Sequence, residues 1–554
     1  MFTPGQSVQE QQSAHASKVV ETLDEALLET KLLRLFSWKD FEHLQLPPFA
    51  YPKMLRGLPR FYDKKAPSKA SVKKPFSTFF QLKKHYVDKA KLYTYRGVVL
   101  KKPLQLTVFS QIKTVDGEEI RALHTLMEIL EKSRLPIVCT FLLAFPKGYT
   151  QDMPIKNVLK VSYIEGKALK LTKQAVELLD RSDVVLQYPY YSKTCASHLQ
   201  SSSFAGQSEM LGCMGSLEEA PFLEEGRSLG LHFLEKGILQ TVRKRYTSQD
   251  LLSSVLARRL FDQKPTKKAL TKYLSKWDLN YFDVRSLPAL LTGCNYLLQK
   301  RKGDKKHLDL MITTHLGMQP LFQYLEKHSA FLDVSTVEVY SGVAEDLKKE
   351  TWQYAGKARG KKLRIFVLEN LPIEERHLLI DLTKDLLIIK DDWGFSEAIG
   401  LSTPYFFDAS HDKKHFVKDL IALGEYYIKS SPKAVGYLRL FLQSRETKVE
   451  KPFYVEEDFF QNLKKDPFLF QPEDLPLEAV RALLRLNQVI AKYFSANELL
   501  QGLMERALLH KAVPQLLSCE QKLEEKFLSG EMDFISFIEQ IRMILRPYKA
   551  GDVD

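Results

Sequence analysis

The stretch Lys361-Lys-Leu-Arg-Ile-Phe-Val-Leu-Glu369 reads as a strand buried on both faces, and the residues after it decide the fold. Residues 373–383 have the spacing of a helix, and Asp385-Leu-Leu-Ile-Ile-Lys-Asp-Asp392 is a second apolar strand bounded by charge. Trp393-Gly-Phe-Ser-Glu-Ala-Ile-Gly-Leu-Ser-Thr-Pro404 then opens another helix: Gly394 permits a tight strand-to-helix turn, Glu397 lies in the helix's first turns, and Pro404 introduces a third strand. Alternating strands and helices imply a parallel sheet, which binds ligands in the crevice beyond the carboxyl ends of its strands. A helix that starts directly after a strand offers free N–H groups and a positive dipole end, which suit a diphosphate.

The same alternation occurs earlier. Leu104-Gln-Leu-Thr-Val-Phe-Ser110 predicts a strand, and Glu118–Lys132 a helix with Ile120, Leu123, Met127 and Leu130 on one face. Strands are expected at 136–144, 158–164 and 183–188, with a helix over 173–179. The chain therefore reads as α/β with two Rossmann-like parallel-sheet domains. Residues 1–75 form an N-terminal extension with a helix over 19–36 and a basic linker, and 76–240 the first domain. Residues 241–306 read as a basic helical linker, 307–430 as the second domain, and 431–554 as a helical C-terminal region. In the second domain, strands at 307–313 and 334–340, each followed by a helix, lead into the stretch quoted first.

The 393–404 segment resembles the donor-binding domain of GT-B glycosyltransferases, whose donor motif runs roughly Glu-Ala-x-x-x-Gly-x-Pro. Glu397, Ala398 and Pro404 fall at the matching offsets, and Ser402 stands where that motif has glycine. It is also similar to protein-arginine rhamnosyltransferases, which share an acidic-Ser-Phe turn, a helix and a Gly-x-Pro strand start. The resemblance implies a nucleotide-sugar donor, no obligatory metal or other cofactor, and an active site drawing on both domains.

On that resemblance, Glu397 would accept hydrogen bonds from donor hydroxyls, and the amides around Gly394, Phe395 and Ser396 would hold phosphate. Lys413 and Lys414, with Arg359 ahead of the central strand, are the cations expected to assist the departing diphosphate. Asp116-Gly-Glu-Glu119 comes after the first strand, so Asp116 and Glu119 are candidates for the base that takes the acceptor's proton, as is His315 after strand 307–313. Each has a plainer reading: the helix dipole favours a carboxylate in a first turn, Asp-Gly before a helix is capping chemistry, and lysines ahead of a helix are ordinary surface.

With 554 residues, 44% apolar and 11% aromatic, the chain is long enough for several packed domains. No apolar run is long enough for a membrane span, and the N-terminus has neither a charged nor an apolar signal region, so a cytoplasmic protein is expected. Its five cysteines lack Cys-x-x-Cys spacing, which suggests neither a zinc site nor a disulfide framework. The chain's net charge is +13, with basic clusters between Arg243 and Lys306, and predicts contact with phosphates, on the donor or on an anionic membrane held peripherally. No Walker, His-Glu-x-x-His, G-x-S-x-G or RNA-recognition motif occurs, so sequence-specific nucleic-acid reading is not expected. The acceptor, whether protein, lipid or glycan, is not legible. Two rival readings remain: a non-catalytic GT-B scaffold, and a basic protein binding nucleic acid or anionic membrane.

Overall fold

The computed structural model describes most of residues 103–512 and scattered positions beyond; residues 1–102 and internal segments including 113–117, 147–157, 164–170, 211–228 and 444–466 fall outside the described part. The expected N-terminal helix and linker therefore lie outside the described residues. By backbone proximity the chain forms two compact units. One comprises Met1–Lys113, Leu130–Leu239 and Lys492–Asp554, and the other Thr114–Ile129 and Gln240–Ala491.

The first unit holds a five-stranded sheet in the order β3-β2-β1-β4-β5, every pair parallel. Its strands are β1 (Leu104–Gln111), β2 (Ile137–Pro146), β3 (Val158–Tyr163), β4 (Val184–Gln187) and β5 (Gln207–Met210). β1 is central as expected, because its Leu, Val and Phe residues are covered on both faces. Helix α1 (Glu118–Ser133) follows β1 in the chain, its residues up to Ile129 belonging to the second unit, and α2 (Lys173–Asp180) and α3 (Lys193–Ser201) come later in the first. Thr172 and Ser192 cap α2 and α3 with their hydroxyls. The C-terminal helix α13 (Ala496–Ala512) belongs to this unit, where Lys511 Nζ bonds the Pro103 carbonyl at 2.8 Å and the Asp183 carboxylate at 2.5 Å.

The second unit holds seven strands in the order β12-β11-β6-β7-β10-β8-β9. They are β6 (Trp277–Val284), β7 (His307–Thr314), β8 (Val334–Val343), β9 (Lys348–Ala355), β10 (Lys361–Glu369), β11 (Leu387–Ile389) and β12 (Tyr405–Phe407). All pairs are parallel except the edge pair β8–β9. Its helices are α4 (Ala257–Leu260), α5 (Lys267–Lys276), α6 (Leu287–Lys300), α7 (Met318–His328), α8 (Ile373–Leu382), α9 (Asp392–Leu401), α10 (Lys414–Tyr427), α11 (Pro432–Gln443) and α12 (Leu477–Tyr493).

Three expectations need correction. The basic stretch 241–306 is not a helical linker: it contains β6, an interior strand, and α6, buried from Leu287 to Leu298. The second sheet thus begins thirty residues before His307, at Trp277. A second expected helix, after 340, is instead β9, whose residues alternate between more and less exposed faces with period two. Gly342, at φ +129°, lets the chain leave β8, and a Cβ there would meet the Asp346 carbonyl at 2.7 Å. Finally, Gly394 does not make a turn ahead of its helix. It is the third residue of α9, where a Cβ would lie 3.0 Å from Ile389 Cβ, so close packing against β11 and not backbone freedom requires the small residue.

Ser402 ends α9 in the left-handed conformation, φ 52° and ψ 45°. Its N–H donates to the Ile399 carbonyl at 3.1 Å, and the Thr403 N–H to that of Ala398 at 3.0 Å. The position where the resembled motif carries glycine is therefore a glycine-type helix end, occupied here by serine at a steric cost. Ser402→Gly is expected to raise the unfolding free energy by about 1 kcal/mol, measured by urea denaturation; an unchanged or lowered value would contradict this backbone assignment.

Candidate functional site

The second sheet has a topological switch. From β6 the chain runs to β7 and onward to β8, β9 and β10 on one side, then crosses to β11 on the other side of β6 and continues outward to β12. Such a reversal opens a crevice at the carboxyl ends of the two strands that flank it. Asp283 is the penultimate residue of β6, and Lys390, Asp391 and Asp392 follow the end of β11. The site is built from these residues and the helices that start beside them.

Asp283 is completely buried. Its carboxylate meets Arg376 Nη1 at 2.7 Å, Lys390 Nζ at 3.1 Å and Arg121 Nη1 at 3.5 Å, and accepts from Thr313 Oγ1 at 2.9 Å. Burial alone pushes its carboxyl up, but Lys390, Arg376 and Arg121 outweigh burial and hold it far below the ordinary carboxylate range. Arg376, early in α8, also donates to the Tyr281 hydroxyl, and its Nη2 lies 3.1 Å from Glu397 Oε2. The other oxygen of Glu397 is 3.0 Å from His377 Nε2. Burial pushes the Glu397 carboxyl up, yet Arg376 and the His377 hydrogen bond bring it down to about 2. Arg121, on α1, reaches from Asp283 to Asp391, and both carboxylates lie in the same compact unit as that arginine. The carboxylates of Asp283, Glu397 and Asp391 are thus matched by Arg121, Arg376 and Lys390.

Asp391 is also the cap of α9: its Oδ1 accepts from the Gly394 N–H at 2.7 Å, and its backbone carbonyl from the Phe395 N–H at 3.1 Å. Next to it, Asp392 pairs with Lys413 at 3.0 Å. On the far side of β11, the Asp408 carboxylate receives the N–H groups of Arg285 and Ser286 at 2.8 and 2.6 Å, closing the entry to α6. Burial leaves the Asp408 carboxyl raised despite these bonds.

Only some of the residues predicted from sequence meet at this crevice. Lys413 pairs with Asp392 at its edge, Glu397 joins the buried network through Arg376, and Lys414 is exposed beside Lys413 at the start of α10. Glu397 was expected to emerge into the crevice; it is only 4% exposed, because Arg376 and His377 draw its carboxylate inward. It is also the sixth residue of α9 and lies beyond the first turn. Gly394, Phe395 and Ser396 are buried, and the Gly394 and Phe395 amides expected to hold phosphate are occupied by Asp391. Glu119 is buried on α1. Asp116, His315 and Arg359 lie outside the described residues. Sequence reasoning missed Asp283, Arg376, Lys390, Asp391 and Arg121. The available signal was the charged run Lys390-Asp-Asp392 directly after an apolar strand, which marks a carboxyl-end edge.

Among the described residues, no group of three His, Cys, Asp or Glu side chains could hold a metal ion, and no helix is long and apolar enough to cross a membrane. No known family profile matches the sequence, and no curated protein matches it. Solved structures align over much of the chain at low similarity. Trehalose-6-phosphate synthase OtsA is 11% identical over 74% of this chain and 98% of that one, with TM-score 0.31. An alpha-glucosyltransferase in complex with UDP and a 13-mer DNA is 9% identical over 74% and 95%, with TM-score 0.29. The UDP-GlcNAc 2-epimerase from Methanocaldococcus jannaschii is 11% identical over 55% and 83%, with TM-score 0.26. At such TM-scores the alignments assign neither a reaction nor a ligand.

Glu397→Ala leaves Arg376 buried without one of its carboxylates, and is expected to cost about 3–5 kcal/mol of stability in a denaturant titration. A cost below about 1 kcal/mol would mean that the buried pair is not formed. The pH dependence comes from the depressed Glu397 carboxyl. Its contribution is complete above the unfolded value of 4.5 and disappears as pH falls towards about 2. The parent should therefore lose stability across that window, and Glu397→Gln should lose less over the same interval.

Proposed function

We propose that the chain is a glycosyltransferase-like protein that takes a nucleotide sugar at the carboxyl edge of its second sheet. The observation that carries this reading is the switch between β6 and β11, lined by Asp283, Lys390, Asp391 and the start of α9. The Glu-Ala-x-x-x-x-x-Pro spacing from Glu397 to Pro404, with its glycine-type turn at Ser402, supports the same reading. Transfer breaks the bond between the anomeric carbon and the diphosphate oxygen, and negative charge develops on that oxygen. Arg121 and Lys413, whose side chains are 16% and 14% exposed, are the network's partly accessible cations and can meet it.

Glu397 acts in this scheme as a positioning residue that holds Arg376 and His377, with no direct contact to the sugar. The acceptor proton would pass to a group still to be assigned, for which Asp116 and His315 remain proposals. An acceptor on a protein side chain, as the likeness to protein-arginine rhamnosyltransferases implies, is the narrower form of this proposal. A second reading, a scaffold that binds a nucleotide sugar without turning it over, is favoured by the internal pairing of Glu397 and by the capped amides of α9.

A thermal-shift screen of nucleotide sugars, free nucleotides and inorganic phosphate tests the proposal. A true donor at 100 times its dissociation constant adds about 2.7 kcal/mol of stability, and Lys413→Ala should weaken its binding by about tenfold or more. Stabilisation without nucleotide release in the presence of candidate acceptors selects the scaffold. No shift with any nucleotide sugar overturns both readings.

A further inference from the structure

The opposite edge of the second sheet carries a different chemistry. Neighbouring strands β6, β7, β10 and β8 begin at Trp277, His307, Lys361 and Val334, so their amino ends line one edge. The register ties them together: Trp277 sits against His307, Leu308 against Leu363, and Lys361 against Val334. At about 4.8 Å between strands, this row is roughly 15 Å long.

Lysines stand at nearly every position where the chain enters this row. Lys276 precedes β6, Lys306 precedes β7, Lys361 and Lys362 open β10, and Lys384 lies ahead of β11. Lys276, Lys362 and Lys384 are exposed. Asp278 offsets Lys306 at 3.6 Å, and Asp385 offsets Lys300 at 3.1 Å. The field is felt by His307, whose imidazole is made less basic by partial burial and then by Lys362, Arg364, Lys276 and Lys361.

At the β8 end of the row stands Phe331, 59% exposed, three residues ahead of the strand start that registers with Lys361. Lys327 is exposed one helical turn earlier, and Glu326 and Asp333 are the acids beside this position. An exposed aromatic ring next to a row of lysines is the pairing that a peripheral membrane contact needs, since neither a short apolar anchor nor a basic patch holds a protein at a bilayer alone. Single-stranded nucleic acid fits less well. It wants open aromatic faces for stacking, and the Trp277 ring in this row is already covered by the Arg364 guanidinium at 3.7 Å.

We infer that the amino-end edge of the second sheet docks on an anionic bilayer, with Lys276, Lys361 and Lys362 at the headgroups and Phe331 inserted at the interface. This surface lies at the far end of the strands from the switch crevice and does not depend on the nucleotide-sugar proposal.

Flotation of the full chain with phosphatidylcholine vesicles, with and without phosphatidylserine, tests it, with circular dichroism confirming that each variant is folded. The chain is expected to float with the mixed vesicles and to be released by salt. Lys361→Glu and Lys362→Glu should each lower the partition coefficient by about fivefold or more. Phe331→Ser should lower it while leaving the salt dependence unchanged. Lys361→Gln and Lys362→Gln provide milder versions if charge reversal impairs folding. Equal flotation with neutral vesicles overturns the inference, as does parent-like flotation of the lysine and Phe331 variants. A single-stranded oligonucleotide that binds with the same lysine dependence while the mixed vesicles do not would assign the edge to nucleic acid.

Discussion

The second unit depends on one buried carboxylate. Asp283 has no exposure to water, and it sits at the carboxyl end of a strand flanked on both sides by others. An ion of this kind is tolerated only when cations and hydroxyls replace its hydration shell. Here the replacements come from separate parts of the chain: Arg121 from α1, Thr313 from β7, Arg376 from α8 and Lys390 after β11. Because each donor must reach the same two oxygens, the network sets where α8 and α9 begin relative to the strands. Glu397 and Asp391 extend it, one by fixing Arg376 and His377 and the other by capping α9. The crevice edge is consequently close to electrically balanced, with Asp283, Glu397, Asp391 and Asp392 facing Arg121, Arg376, Lys390 and Lys413.

A second buried carboxylate, Asp309, works at the other end of the same sheet. Arg364 forms a bidentate pair with it at 2.7 and 2.6 Å, Tyr273 donates to it at 2.6 Å, and the guanidinium stacks on Trp277. Burial still leaves the Asp309 carboxyl raised despite Arg364 and Tyr273, the opposite direction to Asp283. The two ends therefore differ in kind. One neutralises its charges internally around a crevice, and the other surrounds one satisfied pair with lysines that face outward.

Much of the fold was legible because it rests on local pattern. β1, β7, β10 and the helices at 118–133, 173–180 and 373–382 lie where the spacing predicted them, the strands because they are apolar runs and the 173–180 helix because Thr172 caps an amphipathic segment. β6 was missed for a physical reason. Trp277-Asp-Leu-Asn-Tyr-Phe-Asp-Val284 carries Asp278, Asn280 and Asp283, the last two buried, which reads as a surface segment next to a basic run. A strand can hold Asp283 in the core because Arg376 and Lys390 lie more than 90 residues away in sequence, where no local pattern registers them. Glu397 was found but misplaced for the same reason: its position in the helix is local, whereas the direction of its carboxylate is set by Arg376 and His377.

The amino-acid sequence by itself determined the α/β class, the division into two parallel sheets and the motif around Glu397, since periodicity and turn chemistry act over a few residues. Tertiary structure alone decided the strand order, the switch between β6 and β11, the burial of Glu397 and the gathering of lysines along one sheet edge. These depend on pairing between segments far apart in the chain, and the free energy of a buried ion depends on which partners the fold brings within about 4 Å of it.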